Sequence, residues 1–266
     1  MVLRPGRFLV WAIALLPTAM CHAEDAQQFV QRAVQMELAK DRDDHSHWIY
    51  FETDRKDGNN VKQWVAETRE GSLHRVMEMN GQPVPEPEQR RRMDAYLRDP
   101  SARSKRRKSE QHDDQQATEL LNLLPQAFLW TKQGTKGNLT LLHFKPDPNF
   151  RPPDMEARVF AAMEGDMAVD TTQLRIASLK GHLIHDVKIF GGLLGSLNAG
   201  GTFDVERRET GNQIWQITET HVHIQGHVLI FKTISEQEDD VKTEFKQLPG
   251  DPSLQEAETE LLKEEK

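Results

Sequence analysis

The feature that most constrains the fold is a series of short apolar and β-branched runs separated by turn residues. Large side chains recur at two-residue spacing within these runs, as at Trp48 and Tyr50 and again at Phe128 and Trp130. Period-two alternation puts such side chains on one face of a strand, and Gly, Asn or Asp between neighbouring runs favours hairpins. The pattern predicts about ten strands in an antiparallel meander. The runs cover residues 47–53, 61–69, 73–79, 127–132, 139–144, 165–169, 173–179, 182–190, 201–208, 214–224 and 228–234.

Helical patterns precede and interrupt the strands. Residues 25–40 have an apolar stripe at helical spacing and predict an amphipathic helix. Residues 88–124 read as a charged helical insertion that ends in an apolar segment, 120–124. No βαβ alternation is visible, which argues against a parallel sheet. We therefore expect a mainly β, α+β fold: a curved antiparallel sheet covered by the N-terminal helix and the helical insertion.

Several connections carry their own predictions. Lys180-Gly181 and Gln225-Gly226 read as hairpin turns, and the glycine-rich residues 191–201 read as a flexible loop without the spacing of a phosphate cradle. Residues 154–163 read as a short helix. Residues 235–266 are acidic, and 253–265 read as an exposed helix or a disordered segment.

The first 23 residues have the pattern of a secretory signal peptide. Arg4 and Arg7 precede an unbroken apolar run at 8–16, Pro17 ends the run, and Ala23 is the best cleavage position. The run is shorter than the roughly 20 residues of a membrane span. Two alternatives stay open: an uncleaved anchor, and a lipoprotein with Cys21 lipidated. The leading expectation is export to the periplasm.

Cleavage after Ala23 removes Cys21, the chain's one cysteine, so no disulfide can form. We expect residues 24–250 to be a single domain held by its core, followed by an acidic tail at 251–266. Loss of Arg4 and Arg7 takes the formal net charge from −8 to −10. This charge argues against a nucleic-acid partner.

The layout resembles a known superfamily. Gly165-Asp-Met-Ala-Val-Asp170 followed by Gln173-Leu-Arg-Ile176 is similar to its strand–Asp–turn–strand hairpin, and Lys180-Gly-His-Leu183 and Gly226-His-Val-Leu-Ile-Phe231 fit the same meander. The superfamily is that of the periplasmic lipoprotein carriers, with LolA-like and LolB-like proteins, outer-membrane lipoprotein-sorting proteins and RseB/MucB-type stress sensors. The resemblance implies an unclosed β-barrel with helices as a lid, which binds acyl chains or lipoproteins without catalysis. The charged insertion and the acidic tail depart from the pattern, and no site residue carries over.

The aromatic residues of the strands are the candidates for a lipid-binding face. Curved sheets often hold apolar ligands, although the same side chains could instead form a filled core. The expected function is a periplasmic, monomeric, non-catalytic carrier or binding protein for a lipid or lipidated protein, without a cofactor. The predicted lining residues are Trp48, Phe51, Trp64, Phe128, Trp130, Phe144, Phe203 and Trp215.

A basic cluster within the insertion is the second candidate site. Clustered Lys and Arg attract anionic lipid head groups or an acidic partner such as an inner- or outer-membrane protein. An envelope protein-interaction or stress-sensing module is therefore the alternative function. The residues expected to contact an anionic surface are Arg90, Arg91, Arg92, Lys105, Arg106, Arg107 and Lys108.

A metal-dependent enzyme is the third hypothesis. His221 and His223 share a strand face, which is a ligand spacing, and His45 and His47 form a second such pair. No Cys or HExxH helix accompanies them, and no G-x-S-x-G motif supports acyl transfer. We assign no catalytic residue and no metal ligand.

Overall fold

The computed structural model describes residues 25–56, 58–189, 195–228 and 232–265. The predicted signal peptide and Cys21 lie outside the described residues. Within them the helices are α1 Ala26–Asp43, α2 Glu86–Arg98, α3 Pro100–Ala127, α4 Met155–Phe160 and α5 Leu254–Leu261. The strands are β1 His47–Lys56, β2 Asn59–Ala66, β3 Leu73–Met79, β4 Gln82–Pro83, β5 Phe128–Lys136, β6 Leu139–Pro146, β7 Met163–Asp170, β8 Arg175–Leu183, β9 Val187–Ile189, β10 Gly195–Leu197, β11 Thr202–Gly211, β12 Ile214–Val228 and β13 Lys232–Leu248.

The thirteen strands form one unclosed antiparallel sheet, which confirms the predicted fold class. The strand order is β4-β3-β2-β1-β13-β12-β11-β8-β7-β6-β5, with β10 joining β12 to β9 beside the main path. Within the described residues, the two meanders, β1–β4 and β5–β12, are joined in the sheet by β13. This strand pairs with β1 on one side, from His47↔Leu248 to Lys56↔Glu238, and with β12 on the other.

Only the first three residues of β13 fall within a predicted run, 228–234; the rest was not predicted, because it is acidic where a central strand is usually apolar. Its charges have partners on neighbouring side chains. Lys56 pairs with Glu238, and the Lys242 Nζ lies 3.2 Å from an Asp240 carboxylate oxygen and 3.8 Å from one of Glu52. Such pairs let a charged strand lie inside the sheet, which the acidic composition of residues 235–248 alone did not indicate.

Two predicted hairpin turns were also wrong, and in both cases the glycine serves close packing. β8 runs through Gly181, where an added Cβ would lie 2.6 Å from a ring carbon of Phe203 and 3.2 Å from one of Phe144. β12 runs through Gly226, where a Cβ would lie 2.4 Å from the Ser196 carbonyl oxygen. Glycine inside a strand often marks such an approach. Part of the predicted flexible loop, residues 195–197, is strand β10; residues 191–194 lie outside the described part of the chain.

Helix α1 confirms the N-terminal amphipathic prediction. The Asp25 side chain accepts a hydrogen bond from the Gln28 amide at 2.8 Å and so caps the helix. The predicted insertion is two helices, which are divided at Asp99. This residue caps α3 by accepting from the amides of Ser101 and Ala102, and Pro100 occupies the first helical position, where it is tolerated.

The helices cover both faces of the sheet. On one face, α1 and α3 lie over a cluster that includes Phe128, Phe144 and Met167. On the other face, α2 and α5 lie over Phe51 and Trp64. The predicted tail does form a helix, one of the two predicted alternatives, but the helix is packed and not merely exposed: its residues Leu254, Ala257 and Leu261 are buried in this second cluster.

Candidate functional site

A cavity of about 1050 Å³ lies between the sheet and its covering helices. Its floor comes from β8, β11 and β12, and its roof from the end of α1, the second half of α3, and α4. The apolar lining residues are Leu38, Leu120, Leu121, Leu124, Val159, Phe160, Met163, Ile176, Leu179, Leu197, Phe203, Val205, Trp215, Ile217 and Ile224. The predicted cover, helix 25–40 with segment 120–124, thus does form part of the roof.

Five of the six charged residues that line this cavity, all except Arg207, are exposed and so lie at its solvent-facing edge, which we call the mouth. Carboxylates come from α1, from α3 and from α4, whereas guanidinium groups come only from α1 and β11. The charged lining residues are Asp41, Arg42, Asp44, Asp114, Glu156 and Arg207. Since four are acidic and two are basic, the lining has a negative formal charge.

The end of α3 is held in place by backbone carbonyls near Pro125. Proline inside a helix removes one hydrogen bond of the helical ladder. The Pro125 carbonyl accepts a hydrogen bond from the Gln27 side chain of α1, and the Leu124 carbonyl accepts one from the Trp130 indole N–H at 3.2 Å. These contacts fix the leucine face of α3 above the floor.

A buried carboxylate ties α1 to the floor. Glu37 is fully buried, and its carboxylate accepts hydrogen bonds from the Arg175 guanidinium at 2.8 and 3.0 Å, from the Ile176 amide at 2.5 Å, and from Arg207. Arg207 also donates to the Trp215 carbonyl at 3.3 Å. A buried charge is tolerated only when it is paired in this way. The network therefore sets where α1 crosses the sheet.

Asp41, one turn after Glu37, extends this network to the mouth. One of its carboxylate oxygens lies 3.7 Å from guanidinium nitrogens of both Arg175 and Arg207. Burial raises the pKa of Asp41, and Arg207 opposes that rise. Burial also raises the pKa of Asp114 on α3, with the neighbouring Asp113 adding to the effect. Both residues nevertheless keep contact with solvent, since the Asp41 side chain is 55% exposed and Asp114 is also exposed.

The structure places two of the eight predicted lining residues, Phe203 and Trp215, in the cavity wall. Trp215 is held there by a 3.0 Å hydrogen bond from its indole N–H to Gln173. Phe128, Trp130 and Phe144 lie in the cluster beneath α1 and α3 and pack ring against ring.

The other three predicted residues belong to strands β1 and β2. Phe51 and Trp64 pack against each other on the face covered by α2 and α5, with ring centroids 5.3 Å apart. Trp48 lies on the opposite face beside Tyr50 and Phe245. All six predicted residues that lie outside the cavity are packed among other side chains of the protein, because large rings are well suited to close packing.

Sequence reasoning missed most of the cavity floor. Leu179, Val205 and Ile224 are ordinary strand residues that also fit a filled core. Val205 could have been found from the alternation that begins at Phe203. Glu37 gave no signal, because a lone Glu in an amphipathic helix normally faces solvent.

Some side chains of the predicted basic cluster have partners within the protein, and others have none among the described residues. Arg90 bonds to Glu86, and Arg91 and Arg92 share Glu88. Arg106 lies over the Tyr96 ring, 4.6 Å from its centroid, and donates to the Ser72 carbonyl at 3.3 Å.

Lys105, Arg107 and Lys108 are exposed on α3, and none of them forms an ion pair within the described residues. They lie on the part of α3 that precedes its cavity-lining half. This positive surface therefore precedes, along α3, the residues of that helix that line the cavity.

The paired histidines of β12 lie on the face opposite the cavity. His221 and His223 both contact one carboxylate oxygen of Asp239, at 2.7 and 3.1 Å. The Asp239 hydrogen bond raises the pKa of His221. Among the described residues, no group of three or more His, Cys, Asp or Glu side chains is arranged to hold a metal ion.

The fold and the cavity define a class: an unclosed antiparallel sheet with a helix-covered apolar hollow. Comparisons of this chain with models of protein families, with curated proteins and with solved structures find no match. The resemblance to lipoprotein carriers therefore stays a prediction. None of the helices in the described ranges has the length and apolar character of a membrane span.

Proposed function

We propose that the protein is a non-catalytic carrier or binding protein for a lipid or lipidated protein, acting in the periplasm after removal of its signal peptide. The observation that supports this is the cavity of about 1050 Å³ with fifteen apolar lining residues larger than alanine. Ligand pockets usually measure about 300–1,000 Å³, so this one is at the upper end. An acyl chain is the ligand chemistry that matches an apolar lining of this size.

The energetics of chain burial are adequate for binding. Each buried CH₂ contributes roughly 0.8 kcal/mol, so a chain of about sixteen methylene groups contributes about 13 kcal/mol before the cost of association. The loss of translational and side-chain freedom takes a large share of that gain. We therefore expect affinities in the micromolar range, about −8 kcal/mol. Such binding permits both uptake and release, as a carrier requires.

Native mass spectrometry after mild purification tests the proposal. We expect adducts with the masses of acyl-chain compounds, and saturable binding of the neutral fluorescent probe N-phenyl-1-naphthylamine. Val205→Trp should remove both signals, because it places an indole in the cavity. Leu129→Trp is the matched control, since Leu129 is 42% exposed and does not line the cavity. A wild-type protein that is free of adducts and ignores the probe would refute the proposal.

A second candidate function, an envelope protein-interaction or stress-sensing module, rests on Lys105, Arg107 and Lys108. Three exposed cations on one helix attract an acidic partner or an anionic lipid surface, and each is worth about 1 kcal/mol near such a surface. Reversal of all three to Glu should abolish capture of a membrane protein's periplasmic segment. Reversal of Arg90, Arg91 and Arg92, which are already paired with glutamates, should weaken it less.

A further inference from the structure

The charges at the mouth of the cavity bear on which head group a bound chain carries. This question rests on the proposed function, because it takes the apolar hollow as the site of the chain. The mouth belongs to the same cavity, so a chain held on the floor would place its polar end among these side chains.

Both cations of the lining already have partners. Arg207 is bonded to Glu37 and to the Trp215 carbonyl, and lies 3.7 Å from Asp41. The Arg42 Nε lies 3.5 Å from a carboxylate oxygen of Asp43. An incoming carboxylate would have to compete with these acidic groups for either guanidinium.

The acidic side chains are less satisfied. Asp44 accepts a hydrogen bond from the Ser46 amide at 2.8 Å but has no cation partner within the described residues. Asp114 and Glu156, both exposed at the cavity, likewise form no ion pair in the described part of the chain. Two helices, α3 and α4, thus each present an uncompensated carboxylate to the polar end of a ligand.

We infer that the cavity favours a single-chain amphiphile with a positively charged head group, such as an amine, and discriminates against a fatty-acid carboxylate. A cationic head group would gain from Asp114, Glu156 and Asp44, whereas an anionic one would be repelled by the same groups. Like-charge contacts of this kind are a common source of specificity.

A matched ligand series tests the inference. Dodecylamine, dodecanol and dodecanoate share one chain and differ in head-group charge; each would displace N-phenyl-1-naphthylamine at pH 7.5 and low salt, below its micellar concentration. We expect the order amine, alcohol, carboxylate, with roughly a tenfold difference between the two extremes. Raising the salt to about 0.5 M should shrink the difference, because exposed charges are screened.

Charge-removing variants test whether the carboxylates at the mouth cause the preference for a cationic head group. Asp114→Asn with Glu156→Gln should reduce the tenfold difference between dodecylamine and dodecanoate to about twofold or less. Glu119→Gln with Glu265→Gln is the control: it removes the same formal charge at exposed positions outside the cavity lining, and the preference should persist.

The outcomes separate the two claims. If dodecanoate binds wild type as tightly as dodecylamine or more tightly, the head-group inference is overturned while the proposed function stands. A preference that survives in the Asp114→Asn, Glu156→Gln variant also overturns it, because the charge responsible would then lie elsewhere. If the probe and all three amphiphiles fail to bind, the proposed function falls and the head-group inference falls with it.

Discussion

Two regions of one sheet differ in how the space beside their strands is filled. Around β1–β3, aromatic side chains pack against each other and against helices: Trp64 is 1% exposed and contacts the Phe51 ring, while Met93 of α2 and Leu254 of α5 lie in the same cluster. Around β8, β11 and β12, Phe203 and Trp215 instead border a cavity of about 1050 Å³. Aromatic content therefore does not decide whether a strand region is packed or hollow.

The difference comes from the helices opposite the strands. Over β1–β3, the covering helices contribute large apolar side chains such as Met93 and Leu254. Over the cavity, the roof includes small or charged residues, among them Ala117, Thr118 and Asp114 of α3. These side chains leave part of the space between the layers open, although leucines of the same helix line it. A cavity is a property of two facing surfaces, not of either one.

The largest expected effect is a difference in stability loss between a packed tryptophan and one that borders the cavity. Trp64→Ala should lower the free energy of unfolding by about 3–5 kcal/mol, because it removes buried surface and leaves a cavity in a packed cluster. Trp215→Ala should cost about 1 kcal/mol, chiefly through the loss of the hydrogen bond to Gln173, since its ring already borders open space. Urea denaturation monitored by circular dichroism measures both. Equal losses would mean that the cavity region is packed as tightly as the β1–β3 region.

The second effect concerns the polar network that supports the hollow region. Glu37→Ala should cost about 3 kcal/mol, because it leaves the guanidinium groups of Arg175 and Arg207 without their shared carboxylate. Thermal unfolding should show the loss, and probe binding should weaken because α1 loses its anchor. Glu156→Ala at the exposed mouth should change stability by less than about 0.5 kcal/mol. A similar loss in both variants would argue against a special role for the buried network.

Sequence patterns revealed faces and helices well. Alternation correctly placed Trp48 and Tyr50 on one face, and α1 buries the apolar stripe expected of it. These features succeed because side-chain direction in a strand or helix is a local consequence of backbone geometry.

Nonlocal features could not be predicted. The position of β13 between β1 and β12 depends on pairing across nearly the whole chain, and its acidic sequence resembled a solvated tail. Gly181 looked like a turn because a sequence does not show that the Phe203 ring lies against it. The cavity was equally hidden, since its volume depends on which helix residues face Val205 and Leu179.

A third, smaller effect is a pH-dependent change in stability in the packed β1–β3 region. Burial raises the pKa of Glu67, beside β1, to about 7, while its hydrogen bond from the Trp48 amide opposes the shift. The unfolded chain releases this proton near 4.5, so between pH 4.5 and 7 the folded state holds the extra proton and loses stability as pH rises. Glu67→Gln should therefore stabilise the protein by about 1–2 kcal/mol at pH 8, since one pKa unit corresponds to about 1.4 kcal/mol. The gain should vanish at pH 4.

Melting temperatures of wild type and Glu67→Gln across pH 4–8 test this effect. Glu119→Gln is the control, because Glu119 is exposed on α3 and should show little pH-dependent gain. A constant difference between Glu67→Gln and wild type at all pH values would show that packing, rather than ionisation, causes the change.

The smallest effect lies where the two regions join. On the face opposite the cavity, cross-strand register aligns Arg55, Asp239, His221, Asp204 and Lys180, so basic and acidic residues alternate from β1 to β8. The Asp239 hydrogen bond raises the pKa of His221 above its usual 6.5, and the same bond lowers that of Asp239. The pair's contribution is complete below pH 6.5, as long as Asp239 stays ionised, and is lost as pH rises through the folded pKa of His221.

A double-mutant cycle of His221→Asn and Asp239→Asn measures this contribution. We expect a coupling of about 0.5–1 kcal/mol at pH 5.5, as for other partly exposed pairs, and close to zero at pH 9. Because this pair bridges β12 and β13, its loss at high pH should weaken the junction between the packed and hollow regions before it affects either one. Hydrogen exchange at the β12–β13 ladder should then accelerate between these pH values more than exchange at β1–β2, after correction for the intrinsic rate. Uniform acceleration across the sheet would mean that the two regions open together and that the junction has no separate stability.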